Sequence, residues 1–145
     1  MIRAVLDANV LAPGFLSKTS GAAQLLKLWR RQAFDLVVSE HLLTELARTY
    51  TDPYFQKRIA PGEVDRILRL LRRRAIVTDL TVSVTGVATQ PEDDLVLATG
   101  LSGRASYLAT HDRQLLKLAS YRGLQIVAPG RLLALLESEE GMGFP

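Results

Sequence analysis

The sequence predicts an α/β fold: a single three-layer domain in which a sheet of about five parallel strands is flanked by helices. Three observations point there. Short apolar runs alternate with helical patterns along the whole chain. The runs are apolar throughout rather than at every second residue, as in strands covered on both faces. The length of 145 residues holds one domain with no room for two ordinary ones, and 48% hydrophobic residues are enough for a sizeable core. The domain is expected over residues 1–138, with 139–145 as a flexible C-terminal tail.

Residues 2–7 read as a short buried strand, broken by Ala12-Pro13-Gly14. Residues 21–31 are helical, with Ala22, Leu25, Leu26 and Trp29 on one apolar face. Residues 34–38 form a second strand. Ser39 suits the N-cap of the next helix, whose apolar face carries Leu42, Leu43, Leu46 and Tyr50; Asp52-Pro53 stops it. Pro61 opens a third helix with Val64, Ile67, Leu68 and Leu71 as its buried stripe. Residues 75–78 read as a third strand. Residues 79–90 alternate only weakly, through Leu80, Val82 and Val84, and fit a strand, a loop or both. A helix over 92–101, a strand over 106–110 and a short helix over 113–119 follow, the last ending before Tyr121-Arg122-Gly123. A fifth strand spans 124–127, and Pro129 opens a last helix through Leu132, Leu133, Leu135 and Leu136.

Composition excludes several classes of function. There is no cysteine, hence no disulfide and no zinc–thiolate site, which fits a cytoplasmic protein. No signal peptide is visible, since the first apolar run is cut by Asp7 and Asn9, and no run approaches the ~20 apolar residues of a membrane span. No Gly-x-Gly-x-x-Gly follows a strand, which argues against dinucleotide binding. The net charge is +3, from 18 Lys+Arg against 15 Asp+Glu. Lys57, Arg58, Arg66, Arg69, Arg72, Arg73 and Arg74 crowd one stretch against only Glu63 and Asp65. Such a stretch is either a solvated helix face or a surface that tracks a polyanion, with Arg66, Arg69 and Arg73 as the candidates for RNA. Tyr54 and Phe55 could stack on bases; Trp29, at helical spacing with Leu25 and Leu26, fits the core.

The chemistry lies in acids far apart in sequence. Asp7 and Asp112 each end an apolar strand, and strand carboxyl ends are where open α/β sheets build their sites. Asp93 and Asp94 open a helix. Each has a plain structural alternative: Asp7 and Asn9 suit turns, Asp112 suits a helix cap, and one of the Asp93-Asp94 pair can cap while the other faces a site. Glu45 falls on the flank of its helix's apolar stripe, where spacing alone favours a surface residue, and Glu40 lies equally close to that stripe. His41 and His111 are each more simply read as incidental. Several carboxylates at one sheet edge repel one another unless a cation lies between them, so the pattern hints at a metal.

Four segments in this order resemble the PIN-domain nucleases: Val5-Leu6-Asp7-Ala8-Asn9, Ser39-Glu40-His41-Leu42-Leu43-Thr44-Glu45-Leu46, Pro91-Glu92-Asp93-Asp94-Leu95-Val96-Leu97-Ala98, and Tyr107-Leu108-Ala109-Thr110-His111-Asp112-Arg113-Gln114-Leu115-Leu116. The likeness extends to about Leu136 and is greatest to the prokaryotic subgroup described as toxins of toxin–antitoxin pairs. It implies a parallel sheet with helices and a ribonuclease that uses Mg²⁺ or Mn²⁺. It also implies catalytic and metal-holding acids at Asp7, Glu45, Asp94 and Asp112, and it is what selects Glu45 over Glu40. Asn9, Asp93 and Thr110 fall at supporting positions. RNA as substrate, a small antitoxin as partner and a homodimer are implied in the same way.

Mg²⁺ typically takes only one or two direct carboxylates, so Asp7 and Asp94 are expected as direct ligands, with Glu45 and Asp112 holding waters or a second ion. His111 stands where the family often has glycine, and Gln114 where it often has an acid. An aspartyl phosphatase is disfavoured because Asn9 cannot serve as the acid of an Asp-x-Asp pair. The remaining alternative is a catalytically weak PIN domain that binds RNA or protein.

Overall fold

The computed structural model describes residues 1–142, with side chains through 138. The chain runs β1 (Arg3–Leu6), α1 (Ala8–Leu16), α2 (Gly21–Arg30), β2 (Asp35–Val38), α3 (Glu40–Thr49), α4 (Pro53–Gln56), α5 (Glu63–Arg74), β3 (Ile76–Val77), α6 (Pro91–Ser102), β4 (Tyr107–Ala109), α7 (Arg113–Leu118), β5 (Ser120–Tyr121), β6 (Leu124–Val127) and α8 (Pro129–Met142). The expected tail begins inside α8, and residues 143–145 lie outside the described residues.

The sheet order is β3-β2-β1-β4-β6-β5. β1 pairs in parallel with β2 on one side and with β4 on the other. The chain moves outward from β1 to β2 and β3, then crosses back to β4. The strand order therefore reverses between β1 and β4, and the carboxyl ends at such a switch point are where open α/β sheets place their sites. Ala4, Val5 and Leu6 in β1, and Leu108 and Ala109 in β4, have no more than 0% exposure, as the apolar runs lead one to expect of central parallel strands.

Three elements differ from the sequence reading. Ala12-Pro13-Gly14 does not break the chain after the first strand; all three lie inside α1. Pro13 forgoes one helical hydrogen bond. Asp7 caps the start of α1, and its buried residues Val10, Leu11 and Ala12 anchor it to the core. Gly14 lets α2 come close, since a Cβ there would lie 3.1 Å from the Ala22 Cβ. Asp52-Pro53, expected only as a stop, also opens the short helix α4, whereas residues 79–90 take the loop alternative and contain no strand. The sheet has six strands rather than five, because residues 120–121 pair antiparallel with β6. The intervening turn, Arg122-Gly123, has φ of 50° and 90°, the two positive values that suit a tight hairpin.

Ser39 caps α3 as expected, whereas α5 starts at Glu63, two residues after Pro61, with Gly62 as its N-cap. Ser39 accepts from the Leu42 amide at 3.3 Å, and its hydroxyl also meets Thr99 of α6 at 2.7 Å, so the start of α3 is tied to α6. Gly103 ends α6 so close to β2 that an added Cβ would lie 2.3 Å from Val37 Cγ1. Gly103→Ala is therefore expected to destabilise the fold by about 1–3 kcal/mol, the usual range for overpacking, read as a lower urea midpoint. Among the described residues no helix is long and apolar enough to cross a membrane.

Candidate active site

Asp7 sits immediately after β1, 7% exposed, its amide bonded to the Ala109 carbonyl of β4 at 3.0 Å. One carboxylate oxygen caps α1 through the Ala8 amide at 2.8 Å, and the other accepts from the Thr110 hydroxyl at 2.8 Å. Thr110 is fully buried and its hydroxyl is saturated: it donates to Asp7 and accepts from Asn9 Nδ2 at 3.2 Å and from the Asp112 amide at 3.0 Å. Asn9 in turn accepts from the His111 amide at 3.1 Å through Oδ1. One hydroxyl and one amide thus lock the ends of β1 and β4 together and hold Asp7 and Asp112 in register. Thr110→Val keeps the shape but leaves three partners unmatched. A loss of about 1–3 kcal/mol, together with reduced activity, is the expected outcome in paired thermal melts and cleavage assays.

Asp112 caps α7, accepting from the Gln114 and Leu115 amides at 2.8 and 3.2 Å through Oδ1. The capping reading of this residue holds, and its second oxygen is not needed for the cap. Glu45, on α3, is half-buried and accepts from Arg48 Nη1 at 2.9 Å. Its charge is felt at Asp7. Glu40 points elsewhere: it forms a two-bonded ion pair with Arg72 of α5, on the surface. His41 meets the Glu92 carbonyl at 3.1 Å, tying α3 to the start of α6, and His111 is exposed.

The Asp93-Asp94 pair is divided by the structure. Asp94, 6% exposed, turns toward residues 86–88. Its Oδ2 accepts from the Gly86 amide at 2.9 Å, and its Oδ1 accepts from the Val87 and Ala88 amides at 3.1 and 2.6 Å. Three amides on one carboxylate occupy most of its lone-pair directions. Asp94 therefore anchors the irregular segment before α6, with one lone-pair direction of Oδ2 left over. Asp93 is half-buried and lies within electrostatic reach of Asp112 and Asp7. Burial first, then the charges of Asp112, Asp7, Glu92 and Asp94, raise its carboxyl from the ordinary 3.8 to about 6. Asp7 is raised as well, chiefly by burial, against the bonds from Thr110 and Ala8, and further by Asp112 and Glu45.

Asp7, Asp93, Asp112 and Glu45 thus share one negative field at the switch point. Among the described residues no three acids or histidines close around a single point as a ready-made ligand shell. Mg²⁺ does not need one, because it keeps several waters and takes one or two carboxylates directly. The donor set is all oxygen, and two of its members, Asp7 and Asp93, are held above their ordinary pKa chiefly by burial and further by neighbouring acids. Those residues fit a hard divalent cation, which would remove the repulsion.

Of the other candidates, Trp29 is core, while Tyr54 is 56% exposed, with the Arg58 guanidinium 3.8 Å from its ring centre. Arg66, Arg69 and Arg73 lie on α5, which carries none of the candidate acids, and line a cleft with Leu70 and Arg74. Arg48 carries no mark in the sequence beyond its place three residues after Glu45 on a helix.

Residues 3–114 match a family model described as PIN domain. Two solved structures share the fold. VapBC2 from Rickettsia felis, bound to a DNA fragment from its promoter, is 15% identical, with a TM-score of 0.56 over 86% of this chain and 97% of that one. PAE2754 from Pyrobaculum aerophilum is 16% identical, with a TM-score of 0.54 over 94% and 98%. No curated protein matches the sequence.

Proposed function

Because this chain belongs to the PIN domain family, we propose that it is a Mg²⁺- or Mn²⁺-dependent ribonuclease that cuts single-stranded or exposed RNA. The observation that carries this reading is the field shared by Asp7, Asp93, Asp112 and Glu45 at the β1/β4 switch point. Asp7 and Asp93 are the two acids best placed to hold the cation directly, with Asp112 and Glu45 holding its waters. Asp93 thereby takes the place the sequence reading gave to Asp94, and Asp94 becomes a positioning residue acting through the 86–88 segment.

A bound divalent ion would acidify a water and neutralise charge on the phosphodiester. The protein's own residues do the rest. Thr110 and Asn9 hold Asp7 and Asp112 in place. Arg48 holds Glu45. The Asp94 clamp fixes the approach to α6. No side-chain nucleophile is required, and in-line attack on phosphorus would leave a 5′-phosphate and a 3′-hydroxyl.

The PIN-like sequence segments and the likeness in fold to VapBC2 support a finer reading: the toxin of a toxin–antitoxin pair, cytoplasmic, able to form a homodimer and held in check by a small antitoxin. The test is cleavage of a panel of single-stranded RNAs with Mn²⁺ and with EDTA. Cleavage that requires the metal and is lost in Asp7→Asn supports the reading. RNA binding without cleavage of any member would instead favour the binding-module alternative.

A further inference from the structure

Helix α5 sorts its arginines onto two faces. Arg72 is neutralised by Glu40 and ties α5 to α3. Arg66, Arg69, Arg73 and Arg74, with Leu70, line a cleft of about 480 Å³ whose lining contains no carboxylate. All four arginines are exposed. Among the described residues Arg66, Arg69 and Arg73 make no ion pair, and Arg74 donates only to the Arg30 carbonyl, at 3.3 Å. Arg66/Arg69 and Arg69/Arg73 are helical neighbours, a like-charge spacing that disfavours the helix unless an anion offsets it.

From this arrangement we infer that the α5 cleft is a second, non-catalytic binding site, a dock for the phosphate backbone of single-stranded RNA. The inference rests on the ribonuclease reading and extends it. Guanidinium forks suit phosphate oxygens in paired geometry, and Leu70 offers an apolar floor for a sugar or base edge. A 12-residue helix is about 18 Å long, so the cleft spans a few nucleotides rather than one. It lies on a helix that carries none of the four acids, so it would grip the strand to one side of the scissile bond.

The test is binding of a fluorescently labelled single-stranded oligoribonucleotide in EDTA, across a salt series, by the wild type and by a variant carrying Arg66→Gln, Arg69→Gln and Arg73→Gln. Glutamine keeps the helix propensity close to that of arginine, and circular dichroism verifies it. The variant is expected to bind at least tenfold more weakly at low salt. Its log–log salt slope should be shallower by about 2, since each single-strand phosphate contact contributes about 0.7. Unchanged affinity and slope would overturn the proposal. So would intact RNA binding with loss of polyglutamate binding, which would assign the cleft to an acidic protein segment. Binding through these arginines by a wild type that never cleaves RNA would sink the nuclease reading and leave the dock standing.

Discussion

Asp93→Asn is expected to lower Mn²⁺-dependent RNA cleavage at least about 100-fold, an effect typical of losing one preorganised charge from a site, while making the metal-free protein more stable at pH 7. The second half follows from linkage. The folded-state pKa of Asp93 is about 6, against an ordinary value of 3.8. A raised pKa means the fold prefers the protonated acid, so stability is lost as pH rises from about 4 through 6. Asparagine imitates the protonated form at every pH. Because Asp93 is only half-buried, solvent screening reduces the effect. About 1 kcal/mol is a reasonable remainder, which in a chain of this size raises Tm by about 2–4 °C. The difference between variant and wild type should vanish below about pH 4, in melts recorded in EDTA. The same proton competes with the cation, so Mn²⁺ affinity of the wild type should fall with acidification below about pH 6.

Asp94→Ala is expected to do the opposite to stability. The buried carboxylate accepts three amide bonds from Gly86, Val87 and Ala88. Its removal frees three donors, but Gly86 is exposed and Val87 and Ala88 are only half-buried, so water takes over part of the loss. A cost of about 2–3 kcal/mol follows from charged hydrogen bonds of this kind, read as a Tm lower by roughly 5–10 °C. Asp94→Asn should fall by less, because one oxygen still accepts while its amide group opposes the Gly86 N–H. Activity in the Asp94 variants should drop with the order of the 86–88 segment, and should recover in part at low temperature, where Asp93→Asn stays inactive. Two adjacent acids that move Tm in opposite directions would be hard to explain if both were ligands or both were caps.

Most of the fold could be read from residue patterns, because its strands are apolar throughout and its helices carry clear stripes and caps. Ser39 and Pro129 mark helix starts where the structure has them, and Pro61 stands two residues before the start of α5. The failures have local causes. Pro13-Gly14 looks like a break, but tertiary packing of α1 on α2 outweighs a proline and a glycine when the flanking residues are all buried. β5 is two residues long and is set by the backbone at Arg122-Gly123 rather than by side-chain patterning. In the site, strand ends gave away Asp7 and Asp112. Glu45 depended on family likeness, since a half-buried glutamate on a helix flank has no spacing signature. Nothing local separates Asp93 from Asp94. Their roles diverge only because residues 86–88 fold back onto one of them, a long-range event that no helical period encodes.

The most direct measurement is a calorimetric Mn²⁺ titration of the wild type, Asp93→Asn and Asp94→Asn at pH 7, below the melting temperature of each. Wild type and Asp94→Asn are expected to bind the ion with affinities within about tenfold of each other, the lower end of what outer-shell changes do, and Asp93→Asn is expected to lose binding. Wild-type affinity in Asp93→Asn, with binding lost in Asp94→Asn, would contradict the assignment and return the third acid to Asp94.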